Sequence, residues 1–203
     1  MMKNYFEHAS SVVFGCMGLG GEWAASSYSS EHVKQANNAI EAALNAGITV
    51  FDHADIYTLG KAEKVFADVL KQNPDWRNNM IIQSKCGIRF EDETGPKRYD
   101  FSPAYITQSV DGILQRLNQE YIDILLLHRP DPLADLPALG ECLTALHKAG
   151  KFRYLGVSNM LSLLTSPTRY TTDFYISKDA DVSCRAIHLS TPSSRANIAL
   201  STC

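Results

Sequence analysis

Residues 121–128 read YIDILLLH. A run of this kind, apolar except for Asp123, is what a strand looks like when both of its faces are covered. The histidine that ends it puts a titratable group where the chain leaves the sheet. The same grammar recurs on either side. Ile48–Phe51 (ITVF) is β-branched and aromatic and is followed by Asp52. Met80–Gln83 (MIIQ) comes just before Lys85, and Phe152–Val157 (FRYLGV) just before Ser158 and Asn159. Ser11–Gly21 opens as an apolar run and ends in glycines, a strand leading into a loop.

Between these runs the apolar residues recur at helical spacing. A helix is expected from Ser30 or Glu31 to Ala46 and stops at Gly47. Others are expected over Lys61–Gln72, from the cap pair Ser102–Pro103 through Leu117, and over Leu136–Lys148 before Gly150. Five strands separated by four helices predict an α/β fold with a parallel sheet built from βαβ crossovers. In a β/α barrel the C-terminal strand ends converge on the face where the active site is built. Asp52, Lys85, His128 and Ser158–Asn159 would then meet there, with Tyr57 reaching in from the loop after Asp52.

Singly, each of these residues has a plain structural reading. A strand-end aspartate caps the next helix, a loop tyrosine packs, and a histidine after an apolar strand is a satisfied core residue. Their common register at four strand ends is what argues for a site. A metal centre of Asp52, His53, Asp55 and His128 does not fit the pattern, because neighbours on an extended strand point opposite ways. Arg129, Asp131 and Pro132 are read as shaping their loop. Gly18–Leu19–Gly20–Gly21 does not write a dinucleotide fingerprint.

The composition is that of a globular protein. The chain has 203 residues, 45% hydrophobic and 20% charged, and a formal net charge of −3. With the basic residues scattered, neither nucleic acid nor a membrane surface is expected as a partner. No stretch reaches the roughly 18 apolar residues of a membrane span, and the first residues lack a signal peptide's apolar run. Five cysteines at 16, 86, 142, 184 and 203 form no zinc-type spacing. Reduced thiols in the cytoplasm are the expectation.

At this point the residues resemble a known family. GITVFDHADIY (47–57) with GKAEKVFADVLK (60–71) resembles the first signature of the aldo-keto reductases. SKCG (84–87), YIDILLLHRPDP (121–132) and GKFRYLGVSN (150–159) resemble three further blocks in the same order, as in bacterial oxidoreductases with DHADIY and SKCGI. The resemblance covers about residues 10–160. It implies a TIM-type barrel and reduction of a small-molecule carbonyl by hydride transfer from NADPH, with Asp52, Tyr57, Lys85 and His128 as the catalytic tetrad. Tyr57 would donate the proton, and Lys85 would lower its pKa from about 10. Asp52 would hold Lys85 charged, and His128 would polarise the carbonyl oxygen. Ser158 and Asn159 would hold the nicotinamide carboxamide. Met17 and Gly18 would lie beside its ring, although that stretch reads equally well as a glycine-rich turn.

After Asn159 the resemblance ends. Residues 160–203 are rich in serine and threonine and are assigned no structure. A full barrel has eight strands in about 250 residues, so about five of eight are recognisable. The expectation is a barrel portion over 1–159 with a divergent tail over 160–203, truncated or frame-shifted relative to a working ancestor. Open strand edges and weakened cofactor binding would follow. A non-catalytic cofactor-binding subunit and an inactive fragment therefore stand as alternatives to the enzyme.

Overall fold

The computed structural model describes residues 6–159 and the backbone of one further strand, Tyr175–Ser177. In chain order the elements are β1 (Val13–Gly15), α1 (Ser30–Asn45), β2 (Val50–Asp52), α2 (Lys61–Gln72) and β3 (Ile81–Cys86). They are followed by β4 (Ile88–Arg89), β5 (Arg98–Tyr99), α3 (Pro103–Leu117), β6 (Ile122–Leu127), α4 (Leu136–Lys148), β7 (Phe152–Val157) and β8 (Tyr175–Ser177). Short 3₁₀ turns occupy Tyr57–Gly60 and Pro74–Asn79.

The main sheet runs β1-β2-β3-β6-β7-β8. Its first five strands are all parallel, as the alternation of runs predicts, and β8 pairs antiparallel with β7. The chain thus forms the parallel portion of a TIM-type α/β fold. The remainder of the tail assigned to 160–203 lies outside the described residues.

Two apolar clusters lie on opposite faces of the sheet. The larger one joins Phe51, Ile82, Leu125 and Leu127 to the inner stripes of all four helices, for example Ile40, Phe66, Ile113 and Leu143. The smaller one contains Val50, Ile81, Ile124 and Leu126 together with Phe6 and Ala9, and none of the described helices contributes to it. Among the described residues, helices therefore cover one face of the sheet. Strand alternation then assigns every other residue to the helix-free face, where the site is built.

The helices start and stop for local reasons. Ser102 Oγ accepts from the Tyr105 N–H at 3.4 Å, and Asp135 caps α4 through the Ala138 N–H at 3.1 Å. Gly47, in the left-handed conformation, follows the end of α1. Asp123, the polar break in the apolar run of β6, is buried and does structural work. Its carboxylate accepts the Ile82 N–H at 2.9 Å and pairs with Arg77 at 2.9 Å.

Two differences from the sequence reading bear on the site. β3 continues past Gln83 through Ser84, Lys85 and Cys86, and β2 includes Asp52, so Asp52 and Lys85 sit inside strands rather than after them. Apolar character alone undercounts these strands because their polar ends are neutralised by partners. The β4–β5 hairpin is an addition that no apolar periodicity signals. Arg89 bonds Asp92 at 2.7 Å and Asp100 at 2.9 Å and so closes it with charge.

Candidate active site

Asp52, Lys85 and His128 share strand parity with Val50, Ile81 and Leu126, so all three emerge on the helix-free face at the C-terminal strand ends. The register sets Asp52 opposite Gln83, with Lys85 two residues further along β3. Lys85 Nζ lies 2.7 Å from both carboxylate oxygens of Asp52. It also donates to the His53 carbonyl at 2.7 Å and to Tyr57 Oη at 3.1 Å. Tyr57 and His128 meet edge to face, with ring centroids 6.3 Å apart and planes at 80°. The four residues singled out in the sequence form one cluster.

Tyr57 is carried by the 3₁₀ turn rather than by an open loop. Its N–H is fixed to the Ala54 carbonyl at 3.0 Å, and the Asp55 N–H is fixed to the Lys85 carbonyl at 3.0 Å. The turn is thereby docked on β3 beside the lysine it serves.

The electrostatics differ in one respect from the expectation. Burial pushes the Tyr57 phenol above its ordinary pKa; Lys85 pulls it down and Asp52 pushes it up, and the net shift is upward. The expected lowering by Lys85 is present but is outweighed by desolvation. For Lys85 itself burial favours the neutral amine, yet Asp52 and Tyr57 more than offset this, and its pKa is raised. The pair is thus a charged ammonium beside a protonated phenol. An ammonium has no lone pair to accept with, so the Tyr57 hydrogen cannot point at Lys85 and is free for another acceptor.

His128 is buried, with Nδ1 lacking any partner. Burial, followed by Lys85 and Arg129, lowers its pKa to about 3, so the ring is neutral at physiological pH. Ser158 is buried directly after β7, and its Oγ accepts from Asn159 Nδ2 at 2.7 Å. Asn159 has a left-handed backbone, which asparagine tolerates. Among the described residues the Ser158 hydroxyl hydrogen and the Asn159 amide oxygen have no further side-chain bond, and they could meet a ligand. A primary carboxamide, with one acceptor and one NH₂, matches that donor–acceptor pair. The Met17–Gly18 stretch is tied to the same corner, since the Cys16 N–H donates to the Asp52 carbonyl at 2.9 Å. Met17 is exposed, and the space beside Gly18 is open.

Gln83 belongs to the site and was not singled out in the sequence. It is buried, and its Nε2 donates to Asp52 Oδ1 at 2.5 Å. Its position two residues before Lys85, on the same strand face, was the available signal. His53 turns the other way. Its ring lies 4.5 Å from that of Phe66 under α2, far from any shared ligand set with Asp52. Among the described residues no group of three acidic, histidine or cysteine side chains is placed to hold a metal. Cys16, Cys86 and Cys142 are free thiols, while Cys184 and Cys203 lie outside the described residues. No described helix is long and apolar enough to cross a membrane. Asp131 organises the loop after β6, accepting from the Phe101 N–H at 3.0 Å and the Leu133 N–H at 2.9 Å.

Comparison with known proteins bears on the family of the chain. Residues 11–162 match the sequence model of the Aldo/keto reductase family. The chain is 44% identical over 124 residues to the uncharacterized oxidoreductase YcsN of Bacillus subtilis, covering 59% of this chain and 41% of that protein. It is 37% identical over 154 residues to the 6-dehydroglucose reductase of Agrobacterium fabrum, covering 74% of this chain and 50% of that one. Among solved structures, the glycerol dehydrogenase AKR11B4 of Gluconobacter oxydans is 31% identical with a TM-score of 0.65, covering 76% of this chain and 46% of that chain. The chain spans about half the length, or less, of the relatives it matches.

Proposed function

The chain belongs to the aldo/keto reductase family, and from that premise we propose that it reduces a small-molecule aldehyde or ketone to an alcohol with NADPH. The observation that carries this reading is the commitment of Lys85. Its N–H groups serve Asp52, the His53 carbonyl and the Tyr57 oxygen. The phenol is left as a donor whose hydrogen is unclaimed.

When bound, NADPH supplies the hydride that adds to the carbonyl carbon. The electron pair released from the C=O bond collects on oxygen, which takes the Tyr57 proton. The phenolate that remains sits 3.1 Å from the Lys85 ammonium, which stabilises it as it forms. An upward-shifted phenol suits this direction, because the acid form is the one populated near neutrality. Asp52 acts through Lys85, keeping the ammonium charged and aimed. Neutral His128 can donate one hydrogen bond to the substrate oxygen, polarising it without competing as an acid. Ser158 and Asn159 would hold the nicotinamide carboxamide, and Met17–Gly18 would border its ring.

The test is turnover of a reactive aromatic aldehyde with NADPH, followed by nicotinamide absorbance, in the unaltered protein and in Tyr57→Phe. The variant is expected to lose about 10²–10⁴-fold in kcat while still binding NADPH. Undiminished turnover in Tyr57→Phe would remove the tyrosine from this role. Saturable NADPH binding without turnover in the unaltered protein would instead favour a cofactor-binding subunit. Repeating the titration with NADH tests the choice of nucleotide.

A further inference from the structure

Immediately after Tyr57 the backbone does something costly for the residues it carries. Thr58 (φ 46°, ψ 40°) and Leu59 (φ 59°, ψ 39°) both occupy the left-handed region, and Gly60 follows at φ 81°. That region is unfavourable for side chains with a Cβ and most unfavourable for β-branched ones, whereas glycine enters it freely. A threonine held there and fully buried calls for a compensating contact. The contact is its hydroxyl. Thr58 Oγ1 lies 2.8 Å from the Tyr57 carbonyl and 2.9 Å from the Leu19 carbonyl, so its single proton serves both.

A second tie lies one turn further on. Lys61 is buried at the start of α2, and its Nζ donates to the Glu22 carbonyl at 2.8 Å. Gly20 lets the loop backbone approach Thr58 and Lys61, and Gly21 lets it approach His32 in the first turn of α1. A Cβ on Gly20 would stand 2.8 Å from Lys61 Cβ, and one on Gly21 would stand 2.5 Å from His32 Nε2, with both backbones at positive φ. The loop leaving β1 is therefore pinned at its start to the Asp52 carbonyl, through Cys16, and at its far side to the turn that carries Tyr57. Met17 and Gly18 lie between the pins, facing open space.

We propose that Thr58 and Lys61 are positioning residues that lock the Cys16–Glu22 loop to the Tyr57 turn, so that the loop bordering the cofactor and the proton donor keep one fixed spacing. The role assigned to the loop rests on the carbonyl-reductase reading; the lock itself does not. Glycine in place of Thr58 would relieve the backbone and lose the hydroxyl, whereas serine would drop the β-branch and keep the hydroxyl. The two substitutions therefore separate strain from tethering.

Trp23, half-exposed and next to Glu22, reports on the loop once Trp76 is replaced by phenylalanine. Acrylamide quenching of Trp23 is expected to rise about 1.5- to 2-fold in Thr58→Gly and in Lys61→Met, and to stay unchanged in Thr58→Ser. The melting temperature of Thr58→Gly should remain within about 3 °C of the parent or exceed it, because strain relief offsets the lost bond. Equal quenching in parent and variants overturns the lock, whether or not the protein turns over a carbonyl. Where turnover is observed, Thr58→Gly should raise KM for NADPH about tenfold with kcat within about twofold, and serine should restore it. An unchanged KM would reduce the tie to a purely structural one and overturn the positioning role. Absence of turnover in the parent counts against the carbonyl-reducing reading, and the quenching result still decides the lock.

Discussion

Strand β3 carries a buried polar cluster on each face, and the two are built differently. On the helix-free face Lys85 is saturated by Asp52, a backbone carbonyl and Tyr57, and the arrangement ends in a phenol with a hydrogen to give. On the helix-covered face Ser84 donates to Glu63 at 2.8 Å, and Arg116 Nε bonds the other Glu63 oxygen at 2.7 Å. Asp55 joins this second cluster without a cation of its own, and one of its oxygens is buried with no partner. The first cluster balances its charges and keeps a group available at the mouth. The second closes on itself and forces one carboxyl to keep its proton. Adjacent residues on one strand thus join an open cluster and a closed one, and strand alternation decides which.

The most severe way to break this comparison is Lys85→Met. It strands Asp52 as an uncompensated buried carboxylate and removes the charge beside Tyr57. The expected cost is about 3–5 kcal/mol of unfolding free energy, together with loss of any Tyr57-dependent turnover. Urea denaturation checks the first and aldehyde reduction the second. Adding Asp52→Asn to Lys85→Met should recover part of the stability and none of the turnover, since it neutralises the stranded charge without restoring the ammonium. Recovery of turnover in the double variant would show that Lys85 is not needed to activate the tyrosine.

A smaller effect is expected from Asp55→Asn on the opposite face. Burial, with Glu63 next, raises the Asp55 pKa to about 8, while Arg116 pulls it down only in part. A carboxyl that holds its proton more tightly when folded adds stability at low pH. That contribution fades as pH rises from the unfolded value near 4 through about 8. Asparagine cannot ionise, so the stability gained over the parent should grow across that window and level off above it. Thermal melts at pH 5 and pH 9 measure the difference. A gap that is the same at both would mean that Asp55 is ionised throughout.

The parallel sheet and the meeting of Asp52, Lys85 and His128 on one face were legible in the sequence for one reason: apolar runs ending in polar residues report both strand direction and strand end. What escaped notice has the opposite character. Ser84 and Lys85 extend β3 with polar residues that only a partner across the fold, Glu63 or Asp52, makes compatible with burial. The β4–β5 hairpin is closed by charges on Arg89, Asp92 and Asp100, which carry no periodicity. Gln83 and Thr58 matter through single hydrogen bonds to residues more than thirty positions away in the chain. The net upward shift of Tyr57 could not be read either, because burial outweighing a neighbouring cation depends on packing. Local pattern gave the frame, and long-range partners gave the departures from it.

The histidines sharpen the comparison at lowest amplitude. His53 and His128 are each lowered to about 3, first by burial and then by Lys85, yet they lie on opposite faces of the sheet. His128 looks toward the mouth, where a substrate oxygen could use it. His53 is sealed against Phe66 with both ring nitrogens unpartnered. A base whose folded pKa is depressed is stable while neutral. As pH falls below the unfolded value near 6.5 the unfolded chain takes up a proton that the folded chain refuses until about 3, and stability drains away by at most about 1.4 kcal/mol per pH unit for each such group. His53→Leu should therefore match or exceed the parent at pH 7.5, because an apolar side chain removes an unsatisfied donor. Its advantage should then widen as the pH is lowered toward 5. The bond from Lys85 to residue 53 is made to a backbone carbonyl and survives the substitution. Parallel stability curves for parent and variant between pH 7.5 and 5 would mean that the buried ring already titrates normally. In that case the helix-covered face would have to be wetter than its apolar packing implies.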